Sequence, residues 1–153
     1  MGGDNSPSKS VKGVGLFLSK NKFKDDFIIN LFGDEKQISK VLNENKITSN
    51  NLVITHTDSV VSDDETPLTA IKNSKNTSMW NCIKSQIDGN SDISLSAGNT
   101  GVLLVISKMI LKMINGVSKP ALAGLWPNQK GMNVVLDLGC LLYTSDAADD
   151  KQC

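Results

Sequence analysis

Apolar strands that alternate with amphipathic helices constrain this fold more than any other feature of the sequence. The segment "FIINLF", residues 27–32, predicts a buried strand that ends at Gly33, and "DEKQISKVLNEN" after it has helical spacing. "NLVITH", residues 51–56, predicts a second strand, followed by the acidic turn "SDDETP" and a helix with Leu68 and Ile71. Unbroken apolar strands separated by helices are typical of a parallel sheet covered on both faces.

The second half of the chain continues this pattern. "SMWNCIKSQIDG" has apolar residues on one helical face, and "DISLSAG", residues 92–98, predicts a third strand leading into the apolar helix 102–114. "PALAGLW" and "NVVLDLG" predict two short strands around a turn that holds Pro127, Asn128 and Gly131. In a parallel sheet, ligands collect at the carboxyl ends of the strands, so the loops that follow strands are the candidate functional segments.

The loop "SAGNTG" is the first of these segments. Gly98, Asn99, Thr100 and Gly101 leave the first N–H groups of the following helix uncovered by bulky side chains. A helix N-terminus has four unpaired donors and roughly half a unit of positive charge, so a phosphate or an oxyanion suits it. The alternative is a strand, a tight turn and a capped helix without a ligand.

Composition excludes several classes of partner. The chain has 153 residues, 16 of them basic and 16 acidic, and every basic residue is lysine. Without arginine or a basic stripe, nucleic acid is not an expected partner. One histidine and three cysteines without ligand spacing predict neither a metal site nor a disulfide framework. The sequence has no secretory leader and no apolar run long enough for a bilayer, which favours the cytoplasm.

Six blocks, in order and in register, resemble bacterial phosphate acyltransferase, the enzyme that begins phospholipid synthesis. They are "MGGDNSP" at 1–7, "LFGDE" at 31–35, "NTSMWN" at 76–81, "SAGNTGVL" at 96–103, "KPAL" at 119–122 and "VLDLG" at 135–139. The resemblance implies transfer of a fatty acyl group from acyl carrier protein to inorganic phosphate, giving acyl phosphate, without a cofactor or a metal. It also implies a three-layer α/β/α fold with a mainly parallel sheet, a homodimer, peripheral membrane association and a membrane glycerol-phosphate acyltransferase as partner.

The sequence departs from the family at both ends. Family members have a short apolar strand before Met-Gly-Gly-Asp and run to about twice this length, so we expect residues 1–139 to be the N-terminal part of an α/β/α domain that lacks its first strand and C-terminal half. Residues 140–153, "CLLYTSDAADDKQC", read like a translated sequencing adapter, and we expect a non-native, exposed tail. We therefore expect this chain to be inactive by itself.

The resemblance implies roles for particular residues of the candidate loops. Phosphate is assigned to the loop before the apolar helix, that is, to Ser96, Gly98, Asn99, Thr100 and Gly101. Catalytic roles are assigned to Asp4, Asn99 and Asp137, although Asp4 is equally suited to be a helix cap. His56 and Cys82 are expected to be structural.

Two other functions remain open. One is a phosphotransacetylase-like enzyme that uses a coenzyme A thioester, and acceptance of carrier protein or free coenzyme A as the donor separates the two. The other is a non-catalytic module that binds phosphate or a nucleotide. A dinucleotide fold is disfavoured because no strand is followed by G-x-G-x-x-G.

Overall fold

The computed structural model describes residues 2–20, 27–62, 64–66, 69 and 72–136. The chain divides into two compact units, Met1–Leu111 and Lys112–Cys153. The elements of the first unit are α1 (Ser8–Lys20), β1 (Ile29–Gly33), α2 (Glu35–Glu44), β2 (Leu52–His56), α3 (Ser78–Ile87) and α4 (Thr100–Leu111). Those of the second are β3 (Ala123–Asn128) and β4 (Gly131–Leu136).

Strands β1 and β2 form the predicted parallel pair, with Leu31 opposite Ile54. Helix α2 connects them, and it begins where the sequence predicts because Asp34 accepts a hydrogen bond from the backbone N–H of Gln37 at 2.9 Å. One face of α2 packs with α1 and β1 in a hydrophobic cluster of Val11, Leu31, Ile38 and Leu42. This strand, helix and strand unit confirms the α/β class.

A second hydrophobic cluster joins the other two helices of the first unit. Ile83 on α3 and Ile106 on α4 are fully or almost fully buried in it, and Trp80 packs at its edge. Helix α3 begins at a Thr77 cap, whose hydroxyl accepts from the N–H of Trp80 at 3.3 Å. Ser78 donates its backbone N–H to the Ser59 carbonyl at 2.9 Å, which ties this helix start to the loop after β2.

The predicted third strand, residues 92–98, is wrong. The segment has no strand assignment, and the side chains of Ile93 and Leu95 are largely exposed. A strand requires a neighbouring strand to satisfy its N–H and C=O groups, and β1 and β2 pair with each other in the described residues rather than with this segment.

The described part of the second unit contains the two predicted strands, paired as a β-hairpin, and the turn between them is shorter than predicted. Pro127 and Asn128 belong to β3 and Gly131 belongs to β4, so the turn itself is Gln129 and Lys130. The pairing is antiparallel, with Leu125 opposite Val134. Asn128 Oδ1 accepts from the N–H of Lys130 at 2.7 Å, which stabilises the tight connection.

Several predictions fall outside the described residues. They concern Leu68 and Ile71 of the predicted second helix, Asp137, and the tail 140–153. In the described part of the chain, no helix combines the length and apolar character that crossing a bilayer requires.

Candidate functional site

The two glycine-containing loops of the sequence meet in one cleft. The cleft has a volume of about 560 Å³ and is lined by residues from both loops and from the first turn of α1: Gly2, Gly3, Asp4, Lys9, Ser10, Ala97, Gly98, Asn99, Thr100 and Gly101. The structure therefore brings Asp4 together with four of the five predicted phosphate residues. Ser96 does not line this cleft.

Close backbone contact holds the two loops together. Gly3 has a φ of +94°, and a Cβ built on it would lie 2.2 Å from the Ala97 carbonyl oxygen, so a side chain at this position is excluded. A Cβ on Gly98 would lie 3.2 Å from Met79 Cε and 3.7 Å from the Gly2 carbonyl carbon. The glycines that the sequence places in the two loops are thus what allows the loops to touch.

The start of α4 presents backbone donors to this cleft. Among the described residues, no acceptor is found for the backbone N–H groups of Thr100 and Gly101. The next N–H, that of Val102, donates to Asn99 Oδ1 at 3.1 Å, while the N–H of Gly98 donates to Ser96 Oγ at 3.2 Å. Two donors at a helix N-terminus remain for an anion.

Asn99 has a structural role in addition to its place in the cleft. Its Oδ1 caps α4, and its Nδ2 donates to the Glu65 carbonyl oxygen at 3.0 Å. The side chain therefore anchors the helix start to the loop that follows β2. Its predicted catalytic role stays a prediction.

Lys9 is the cleft residue that the sequence analysis missed. It lies in the first turn of α1 and brings a positive charge to a cleft whose other charged side chain, among the described lining residues, is the carboxylate of Asp4. A lysine just after the glycine loop was a signal in the sequence, since a residue in the first turn of a helix stays near the loop that precedes it. In a chain without arginine, Lys9 gives this cleft a cation that an anionic ligand could contact.

His56 and Cys82 lie elsewhere and make structural contacts. His56 Nδ1 accepts from the N–H of Glu35 at 3.2 Å, and Nε2 lies 2.9 Å from Asp58 Oδ1. Cys82 is half-buried, and burial raises the pKa of its thiol against the weaker opposing effects of its hydrogen bonds with Ser94 and with the Leu95 carbonyl, to which the thiol donates. A raised thiol pKa disfavours the nucleophilic thiolate at neutral pH.

These elements define an α/β protein with a glycine-lined cleft at a helix N-terminus. The chain belongs to the fatty acid synthesis protein family, whose model matches residues 1–144.

Similar curated proteins are named phosphate acyltransferase. One from Pelagibacter ubique is 47% identical over 145 residues, which cover 95% of this chain and 42% of the relative. One from Roseobacter denitrificans is 38% identical, covering 91% of this chain and 39% of the relative, and one from Jannaschia sp. is 36% identical, covering 97% and 40%. The chain thus spans about two fifths of the length of the curated relatives it matches.

Proposed function

We propose that this chain forms part of an acyltransferase that moves a fatty acyl group from acyl carrier protein to inorganic phosphate. The observation that carries the proposal is the cleft that Lys9, Thr100 and Gly101 line together, with no acceptor among the described residues for the N–H groups of Thr100 and Gly101. Phosphate is the small anion in the name of the relatives, phosphate acyltransferase.

Catalysis in this proposal rests on binding and orientation. A phosphate oxygen attacks the thioester carbonyl carbon, the carbon–sulfur bond breaks, and the released thiolate takes up a proton. Phosphate is already a nucleophile, so the protein needs no covalent intermediate. Its residues desolvate the anion, aim it at the carbonyl and stabilise developing negative charge.

The proposed roles follow from position in the cleft. Thr100 and Gly101 bind phosphate through backbone N–H groups, and Lys9 offsets its charge. Asp4 is exposed at the opposite loop, where its carboxylate is suited to accept a hydrogen bond from a phosphate hydroxyl. Asp137 retains its proposed catalytic role on the strength of the family resemblance alone.

The cellular setting is proposed from the reaction. Acyl phosphate is consumed in making membrane lipid, so we propose a cytoplasmic protein that associates peripherally with the membrane and delivers to a membrane glycerol-phosphate acyltransferase. We also propose that the full-length protein is a homodimer. Acyl carrier protein is the proposed donor, and no nucleic acid is involved.

A phosphate titration of the 153-residue chain, followed by amide NMR, tests the site. We expect saturable shifts of the Thr100 and Gly101 amides. Lys9→Ala should weaken phosphate binding about fivefold at low ionic strength, near the upper end for an exposed ion pair. Lys12→Ala removes the same charge from an exposed position of α1 outside the cleft lining, and it should have little effect.

An activity assay tests the reaction and separates the alternatives. We expect the full-length Pelagibacter ubique relative to form acyl phosphate from acyl carrier protein, and the 153-residue chain to form none at a comparable rate. Preference for a coenzyme A thioester would favour a phosphotransacetylase-like enzyme. Phosphate binding without acyl transfer by the full-length relative would favour a non-catalytic module. If phosphate leaves the Thr100 and Gly101 amides unchanged, the phosphate site lies elsewhere.

A further inference from the structure

A second cleft lies at the carboxyl ends of β1 and β2. It has a volume of about 370 Å³ and collects residues from the loops after both strands and from the N-terminal segment: Gly2, Gly3, Ser6, Pro7, Asp34, Gln37, Ile38, Thr57, Asp58, Val60, Val61 and Ser62. The carboxyl ends of parallel strands are where α/β proteins bind ligands.

Thr57 gives this cleft a buried hydroxyl without a partner. Thr57 directly follows β2 and is only 4% exposed. Its backbone N–H donates to the Gly33 carbonyl at 3.0 Å. In the described residues, neither Thr57 Oγ1 nor the buried Ser6 Oγ has a hydrogen-bond partner. A buried hydroxyl without a partner is costly, and a ligand that hydrogen-bonds to it removes that cost.

The charges around these hydroxyls exclude an anionic ligand. Asp34 and Asp58 line the cleft, and among the described residues no lysine does so. Asp34 already accepts from the N–H of Gln37, and Asp58 from the His56 ring. In the part of the chain that the structure describes, no group of three metal-ligating side chains forms. Pro7, Ile38 and Val61 add apolar surface, so the cleft suits an uncharged chain that carries both hydrogen-bonding and apolar groups.

The two clefts share a wall made of peptide backbone. Gly2 and Gly3 are the lining residues common to both. On one side, a Cβ on Gly2 would lie 3.4 Å from Val60 Cγ1, while on the other Gly3 is in contact with the Ala97 carbonyl. In the described part of the chain, the two clefts therefore adjoin at the Gly2–Gly3 segment.

We propose that the Thr57 cleft binds the pantetheine arm of the thioester donor, with Thr57 and Ser6 hydrogen-bonding its amide and hydroxyl groups. This inference rests on the proposed function, because it assigns the second cleft to the donor of the same reaction. Pantetheine is uncharged and carries amides, a hydroxyl and geminal methyl groups, which match the hydroxyl, carboxylate and apolar lining. For reaction, the thioester at its end has to reach past the edge of the Gly2–Gly3 segment into the first cleft, where a phosphate oxygen bonds to the carbonyl carbon, the carbon–sulfur bond breaks and the released thiolate takes up a proton.

Titration of the 153-residue chain with free pantetheine, followed by amide NMR, tests the inference. We expect saturable shifts of the Thr57 and Val61 amides. Thr57→Val, which keeps the shape and removes the hydroxyl, should raise the dissociation constant about tenfold, the loss expected for one hydrogen bond. Ser74→Ala is the matched control, because Ser74 is also fully buried with an unpartnered hydroxyl but lies outside the cleft lining, and it should leave binding unchanged.

Equal effects of Thr57→Val and Ser74→Ala, or no saturable shift near Thr57, would overturn the inference. If Thr57→Val proves unfolded, Ser6→Ala takes its place with the same expectation. Lys9→Ala should weaken phosphate binding and leave pantetheine binding intact. An unvaried chain that binds pantetheine but not phosphate would contradict the proposed function alone, and one that binds phosphate but not pantetheine would contradict this inference alone. Separate titrations with holo acyl carrier protein and coenzyme A then tell which source supplies the arm.

Discussion

At the scale of single residues, Asn99 shows how a structural and a functional role overlap. The sequence singles it out as a phosphate donor, and the structure gives its side chain two protein partners, the Val102 N–H and the Glu65 carbonyl. A cap of this kind determines where α4 begins, and therefore where the Thr100 and Gly101 N–H groups point. Its influence on phosphate is expected to pass largely through that geometry.

Replacing Asn99 separates the two roles. Asn99→Ala should lower the free energy of unfolding by about 1 to 3 kcal/mol, because it removes the cap and the bond to Glu65. Asn99→Asp keeps the capping oxygen, so it should cost less stability, but its carboxylate should repel phosphate. Urea denaturation of both variants measures the free energy of unfolding, and phosphate titration measures the binding of phosphate. A fully stable Asn99→Ala chain would contradict the anchoring role.

At the scale of elements, glycine is required in the Gly2–Gly3 segment but not in α1. Gly3 has a positive φ and touches Ala97, whereas Gly13 lies in the exposed part of α1 with nothing within 4 Å of a Cβ. The first glycine is required by its contacts, and the second weakens a helix.

Alanine substitution at Gly3 and at Gly13 tests whether the Gly3 loop contacts Ala97. Gly3→Ala should destabilise the chain by more than about 2 kcal/mol, because it adds backbone strain to a direct clash with the Ala97 oxygen. Gly13→Ala should stabilise it by about 0.5 to 1 kcal/mol, the usual gain in a helix interior. Thermal denaturation monitored by circular dichroism measures both changes. Similar melting temperatures for the two variants would argue against the close packing of the two loops.

Local chemistry made some elements predictable. The apolar spacing of α2 and of α3 lies within their own sequences and predicts both helices, and the structure adds an Asp34 cap and a Thr77 cap at their starts. The segment 92–98 has strand-like composition, yet whether it pairs depends on a neighbour that sequence pattern cannot supply. The meeting of Lys9 with the α4 N-terminus is likewise a tertiary event, since about ninety residues separate them in the chain.

At the scale of the whole molecule, the hairpin exposes an apolar face. Alternate residues of β3 and β4 point the same way, and the register places Leu125 beside Val134 on one face of the ribbon. The same face carries Met132 and Leu136, and all four side chains are more than 60% exposed. Contiguous exposed apolar surface of this kind favours association.

We expect the chain to self-associate with rising concentration through this face. Val134→Lys should reduce association, because it places a charge in the apolar surface. Asn133→Lys adds the same charge on the opposite face of the same strand and should have a smaller effect. Sedimentation velocity over a range of concentrations compares the variants. Equal self-association of both variants would show that the chain associates through a different surface.

The peptide wall between the two clefts has a consequence for how such a protein diversifies. The described lining residues that the two clefts share are Gly2 and Gly3. Because glycine has no side chain, the size of this shared segment is set by backbone geometry alone. Under the proposed assignment of the clefts, we expect substitutions around Thr57 to alter which donor is accepted without altering phosphate use. Donor preference and phosphate use become separable traits, and the wall itself is the part that natural variation should leave alone.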